Sequence, residues 1–320
     1  MMTGHRNRIA GNLPVPRARH VLPFLAIVLL AVAHGEPSSV GMTPTPSPAT
    51  SSDTLPGTWK LIWADEFDHD GAPDPTKWDY EVGFIRNRES QYYTKARTEN
   101  ARVEQGVLVI EARKENYRNP QVDHKSRDWR HREFADYTSS SLTTLGKASW
   151  TYCRIEVRAK LPGGPGTWPA IWTLGVDRAR HPWPLCGELD IMESVGKAPK
   201  RASSNVHFPN KTKEYTGAVT LQDSYSAAFH VFAMERYPDR IDFFVDGKKY
   251  NTFTVDDAGC GEENPFRKPH YLLINLAMGG IAGGKIDDAS LPQKYLIDYV
   301  RVYQLTDQVK DSQATAPTGK

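Results

Sequence analysis

Gly187-Glu188-Leu189-Asp190-Ile191-Met192-Glu193-Ser194 holds three carboxylates within six residues, interleaved with Leu, Ile and Met. On a helix, Glu188 and Glu193 would lie about 140° apart, so no single face carries both. In a strand, Glu188 and Asp190 project from one face, and Leu189 and Ile191 from the other. Glu193 then has the wrong parity. One β-bulge at Ile191-Met192 restores it, and bulges occur beside active sites, where they re-aim a side chain. The segment predicts a bulged strand with all three acids on one face.

Such an arrangement is costly, because like charges that cannot all ionise push their pKa values apart. A structural strand has little reason to accept it. Glycoside hydrolysis requires it: one carboxyl keeps its proton as general acid while another is ionised as nucleophile. Four pleat steps separate the two glutamate Cα atoms by roughly 13 Å. Side chains leaning together bring the carboxyls to about 5–6 Å, the range of retaining enzymes. A polar sheet face and a Ca²⁺ site are the competing readings. Upstream, Trp168, Ala170 and Trp172 share one strand parity, and Trp183 lies in the segment leading to Glu188. Indoles beside acids suit a platform for the apolar face of a sugar ring, with core packing as the alternative.

Further out, short alternating runs recur between Gly, Pro and Asn breaks. Residues 107–112, 152–159, 241–245, 271–277 and 295–303 all read as strands, and no stretch of 12 or more shows a helical period. This predicts an all-β sandwich with long loops. The basic, irregular stretch Tyr117 to Phe134 reads as a solvated loop, or as a cleft wall with Trp129 and the arginines facing ligand.

The ends of the chain differ in composition from its centre. Val21 to Ala33 is an apolar run of 13, preceded by Arg6, Arg8, Arg17 and Arg19 and closed by Ala31-Val32-Ala33. It is too short to span a bilayer as a helix and has the layout of a cleaved signal peptide, so residues 1–33 predict a secreted protein. Residues 34–56 are a Ser/Thr/Pro-rich linker, 57–305 a single folded domain, and 306–320 a polar tail. Of 40 basic residues four precede the apolar run, leaving 36 against 38 acidic ones. Near-neutral charge predicts no nucleic-acid partner, and a mean hydropathy of −0.55 excludes a polytopic membrane protein. The domain is expected to act as a monomer without stable membrane association. Cys153, Cys186 and Cys260 permit one disulfide at most and read as small buried thiols. No Cys/His spacing suggests zinc.

Taken in order, Ala64 to Asp68 (ADEFD), Asn87 to Thr94 (NRESQYYT), Arg154 to Gly175 (RIEVRAKLPGGPGTWPAIWTLG), Trp183 to Gly196 (WPLCGELDIMESVG), Leu272 to Gly280 (LLINLAMGG) and Leu291 to Gln304 (LPQKYLIDYVRVYQ) resemble glycoside hydrolase family 16. The resemblance is to its laminarinase-like, endo-1,3-β-glucanase branch, whose E-x-D-x-x-E core is bulged. It implies a β-jelly roll of two antiparallel sheets with a concave cleft for a β-glucan. It also implies that Glu188 is the nucleophile, Glu193 the general acid/base and Asp190 the acid that modulates them. Trp168, Trp172, Trp183, Asn87 and His207 fall where the family contacts sugar. No cofactor is implied for catalysis, but the resemblance implies one structural Ca²⁺ held by Glu66, the carbonyl of Gly106 and Asp298. Another polysaccharide, as in agarase- or carrageenase-like enzymes and transglycosylases, is the alternative. A non-catalytic glucan-binding protein is disfavoured by the presence of both glutamates. Cys153 departs from the family's usual glycine.

Overall fold

The computed structural model describes residues 59–209 and 215–306. The predicted signal peptide and linker, and the tail beyond Thr306, lie outside the described residues. The strands are β1 (Trp59–Asp65), β2 (Asp79–Tyr80), β3 (Gln91–Tyr93), β4 (Ala101–Glu104), β5 (Val107–Arg118), β6 (Phe134–Ser139), β7 (Ser141–Thr143), β8 (Arg154–Lys160), β9 (Thr167–Gly175), β10 (Glu188–Ser194), β11 (Arg201–His207), β12 (Gly217–Thr220), β13 (His230–Arg236), β14 (Arg240–Val245), β15 (Lys248–Thr254), β16 (His270–Met278) and β17 (Gln293–Leu305). One α-turn spans Gly280–Gly283. No helix among the described residues is long and apolar enough to cross a membrane.

The strands form two sheets. One has the order β15-β14-β13-β8-β17-β5-β6-β3, with β1 added to β17 and β4 to β5; the other has the order β12-β11-β10-β9-β16-β7-β2. All pairings are antiparallel except β3 with β6, a departure from the expected fully antiparallel sheets. A parallel pair needs a long crossover. Here β4 and β5 lie between the two strands in sequence and supply one.

The expected alternation builds the core. Ile155, Val157 and Ala159 of β8 and Val300 and Val302 of β17 face Leu189, Ile191 and Met192 of β10 and Leu272, Ile274 and Leu276 of β16 in one buried cluster. Burying each such side chain contributes about 1.5–3 kcal/mol. Strand β16 is apolar at nearly every position because it is covered on both faces. Its even-numbered residues enter that core, whereas Tyr271 and Leu273 join Ala170, Trp172, Leu174 and Cys186 in a second cluster. That second cluster floors the functional cleft. All three cysteines are free thiols.

Candidate active site

The decisive strand is bulged where its parity requires it. On β9, Glu188 pairs with Leu174, Asp190 with Trp172, Met192 with Ile171 and Glu193 with Ala170. On β11, Glu188 pairs with His207, Asp190 with Asn205 and Glu193 with Ser203. Five steps along β10 therefore match four along each neighbour. Ile191 and Met192 both turn into the core, each fully buried, and Glu193 returns to the face of Glu188 and Asp190. At the entry to β10, Gly187 has φ +74°, and a Cβ there would meet Pro265 at 2.7 Å. On the neighbouring strand, a Cβ at Gly175 would lie 2.2 Å from the Cys186 carbonyl oxygen. Gly175 thus admits the segment before β10 close to β9, and Gly187 lets that segment pass Pro265.

The three acids line a cleft of about 430 Å³ together with Arg86, Asn87, Glu89, Trp168, Trp172, Arg178, Trp183 and Asn275. His207 reaches them from β11: its Nε2 lies 3.3 Å from Asp190 Oδ2 and 3.7 Å from Glu188 Oε1. Burial pushes the Glu188 carboxyl up to about 8, reinforced by the charges of Asp190 and Glu193 and opposed by His207 and Arg86. Glu193 is also raised by burial. Opposing this are the Trp168 indole N–H, His207, the Asn205 amide and a hydrogen bond with Asp190. The Trp168 N–H donates to Oε1 at 2.9 Å and the Asn205 amide to Oε2 at 2.5 Å. The result is a pair of glutamates whose carboxyls are both held above the usual range, poised to exchange protons with a bound substrate.

The expected sugar contacts separate into two groups. Trp168, Asn87 and Trp183 present themselves to the cleft, and Trp183 is 59% exposed, with its ring centroid 6.1 Å from that of His207. Asn87 adopts φ +56°, which is uncommon for a residue with a side chain, and its amide contacts Glu89 at 3.3 Å. Trp172 is a floor rather than a free platform. It is buried, donates its indole N–H to Asn275 at 2.7 Å and carries the Arg86 guanidinium 4.8 Å from its ring centroid. Arg86 in turn pairs with Glu81.

Sequence reading did not single out Arg86, Glu89, Asn205 or Asn275. Asn205 shares strand parity with His207, and Asn275 is a lone amide within the apolar run of β16, so both carried a readable signal. Arg86 carried none. Trp129 does not face the cleft; it packs at 6.1 Å on Phe84, while Arg132 donates to the Ser90 carbonyl at 2.7 Å.

The residues of the implied Ca²⁺ site do not fit the ion as they stand. Both oxygens of Glu66 accept from Arg301, at 2.8 and 2.9 Å, and Asp298 accepts from Arg158 at 2.6 Å. Gly106 sits with φ +75° in the turn between β4 and β5. Calcium takes six to eight oxygens, and here both carboxylates are already neutralised by guanidinium groups.

Comparison with known proteins places this geometry. The sequence profile of "Glycosyl hydrolases family 16" matches residues 88–301. The chain is 45% identical over 271 residues to a "Beta-glucanase" of Rhodothermus marinus, covering 79% of this chain and 87% of that one. It is similar to the X-ray structure of the laminarinase from Rhodothermus marinus, at 42% identity and TM-score 0.67, covering 77% of this chain and 97% of that one. It is also similar to a structure described under endo-acting O-glycanases of the human gut microbiota that initiate mucin breakdown, at 37% identity and TM-score 0.74, covering 82% and 97%. By these similarities the chain belongs to glycosyl hydrolase family 16 and is a glycoside hydrolase.

Proposed function

We propose that the protein is a secreted endo-glycosidase that hydrolyses β-1,3-linked glucans with retention of anomeric configuration. One observation carries the reading: the single bulge in β10 sets Glu188, Asp190 and Glu193 side by side on the cleft face. In the first step the Glu188 carboxylate attacks the anomeric carbon. The bond to the glycosidic oxygen breaks, and Glu193 gives that oxygen its proton. In the second, Glu193 takes a proton from water, the water oxygen bonds to the anomeric carbon and Glu188 leaves. Asp190 lies between the two, where its charge raises the Glu188 carboxyl and its hydrogen bond lowers that of Glu193. Burial raises the Glu188 carboxyl, so substrate binding must leave it ionised for the attack.

The glucan preference is supported by the similarity to a β-glucanase and a laminarinase, and by an indole at the cleft rim. Secretion rests on residues 1–33 alone. The higher TM-score to the O-glycanase structure favours mucin-type glycans as the second reading. A reducing-sugar assay over laminarin, mixed-linkage β-glucan, cellulose and mucin O-glycans separates them. Laminarin is expected to give the highest turnover and oligosaccharide products. Release from mucin glycans with none from laminarin would transfer the proposal to the second reading.

A further inference from the structure

Glu193 is held from two sides, and one of the two holders is itself fixed by a third residue. The Trp168 N–H from β9 takes Oε1, and the Asn205 amide from β11 takes Oε2. An amide can flip, exchanging its donor and acceptor ends. Here the ionised Glu193 carboxylate, which only accepts, selects Nδ2, and the Thr216 hydroxyl, which can serve either end, donates to Asn205 Oδ1 at 2.5 Å and anchors the side chain. Thr216 is exposed and immediately precedes β12, so it reaches the site from the segment joining the two strands. A carboxyl offers about four acceptor positions. Two N–H donors, one per oxygen, leave positions free on each oxygen for the proton that is transferred and for Asp190.

We infer that Asn205, anchored by Thr216, is a positioning residue for the general acid/base, fixing where Glu193 delivers its proton and how readily it gives it up. This rests on the proposed role of Glu193. The amide favours the ionised form and so counters the burial that raises this carboxyl. The other charged groups facing Glu193 are Asp190 and Glu188 on its own strand and His207 on β11, with Glu89 lining the same cleft. From β9 it meets an indole and no titratable group.

The test uses the leaving group. A β-glucan needs a proton on its departing oxygen, whereas a dinitrophenyl glycoside does not. For Asn205→Ala, kcat/KM on laminari-oligosaccharides is expected to fall about 10²-fold, the usual share of general acid catalysis, while the dinitrophenyl substrate loses less than about tenfold. The alkaline limb of the pH profile should move up by about one unit, the scale of one charge-assisted hydrogen bond. Thr216→Val should move both readouts the same way by a smaller amount, and its exposed position keeps the test available if Asn205→Ala does not fold. Equal losses on both substrates with an unmoved alkaline limb would reduce Asn205 to a structural or binding role. Azide added to Glu193→Ala tests the underlying assignment separately. Rescue of turnover on the activated substrate keeps Glu193 as acid/base whatever Asn205 does, and absence of rescue removes the premise.

Discussion

Glu188→Gln is expected to lower glucan hydrolysis by roughly 10⁴-fold or more, the scale seen when a covalent nucleophile is removed, in a protein that folds normally. The amide keeps the shape of the carboxyl and its neighbours on β9 and β11 but cannot form the glycosyl ester. The same change should stabilise the fold, and the sign follows from proton linkage. Burial and the charges of Asp190 and Glu193 raise the Glu188 carboxyl to about 8, so between the ordinary glutamate range and pH 8 the folded protein binds more protons than the unfolded chain. Stability contributed by this group therefore falls as pH rises through that window. Glutamine has no such proton. The variant should melt at a higher temperature than the wild type, with a gap that widens from pH 5 to pH 8. Thermal melts at both pH values, together with laminarin turnover, check this. A folded Glu188→Gln enzyme with more than a few per cent activity would remove the nucleophile assignment.

Deleting Leu189 should be among the most damaging single-residue changes in β10. Glu188 and Asp190 share the cleft face because one inward residue, the fully buried Leu189, stands between them. Without it the two acids take opposite parities, and one carboxyl turns toward the position now filled by Leu189. An unpartnered polar group there costs roughly 2–7 kcal/mol, and the lost leucine burial adds about 1.5–3 kcal/mol. The melting temperature is expected to fall by about 10 °C or more, with no detectable hydrolysis. Deleting Met192 instead removes the bulge, because five steps along β10 then become the four of each neighbour. It leaves Glu188, Asp190 and Glu193 at alternate positions on one face and should cost mainly the methionine's burial. Wild-type melting and turnover in the Leu189 deletion would show that parity does not place the acids.

The sheet and its bulge were legible because a strand has a period of two and a core rejects unpaired carboxylates. Leu189, Ile191 and Met192 had to face inward, which left one place for the irregularity. The long-range partners were less legible. Arg86 comes from the segment between β2 and β3 and covers the Trp172 ring that parity alone assigned to sugar. The Glu66 carboxylate meets Arg301, whose position on β17 pairs with Ala64 of β1, so a ligand set suggested by resemblance is met by cations instead. Asn205 could be placed on the site by its parity with His207, but the Thr216 hydroxyl that anchors its amide comes from beyond β11, which no local pattern reveals. The parallel pairing of β3 with β6 likewise depends on a crossover and has no signature within either strand.

Double displacement on Glu188 is tested most directly by the configuration of the first sugar released. Both glutamates come from one strand, five positions apart with one bulge and Asp190 between them, a spacing suited to direct attack on the anomeric carbon. An inverting enzyme instead separates its carboxyls by about 6.5–9.5 Å to admit a water. Proton NMR of a β-1,3-glucan oligosaccharide digest, recorded before mutarotation, should show the β-anomer first. An initial α-anomer would contradict both the covalent intermediate and the role of Glu188.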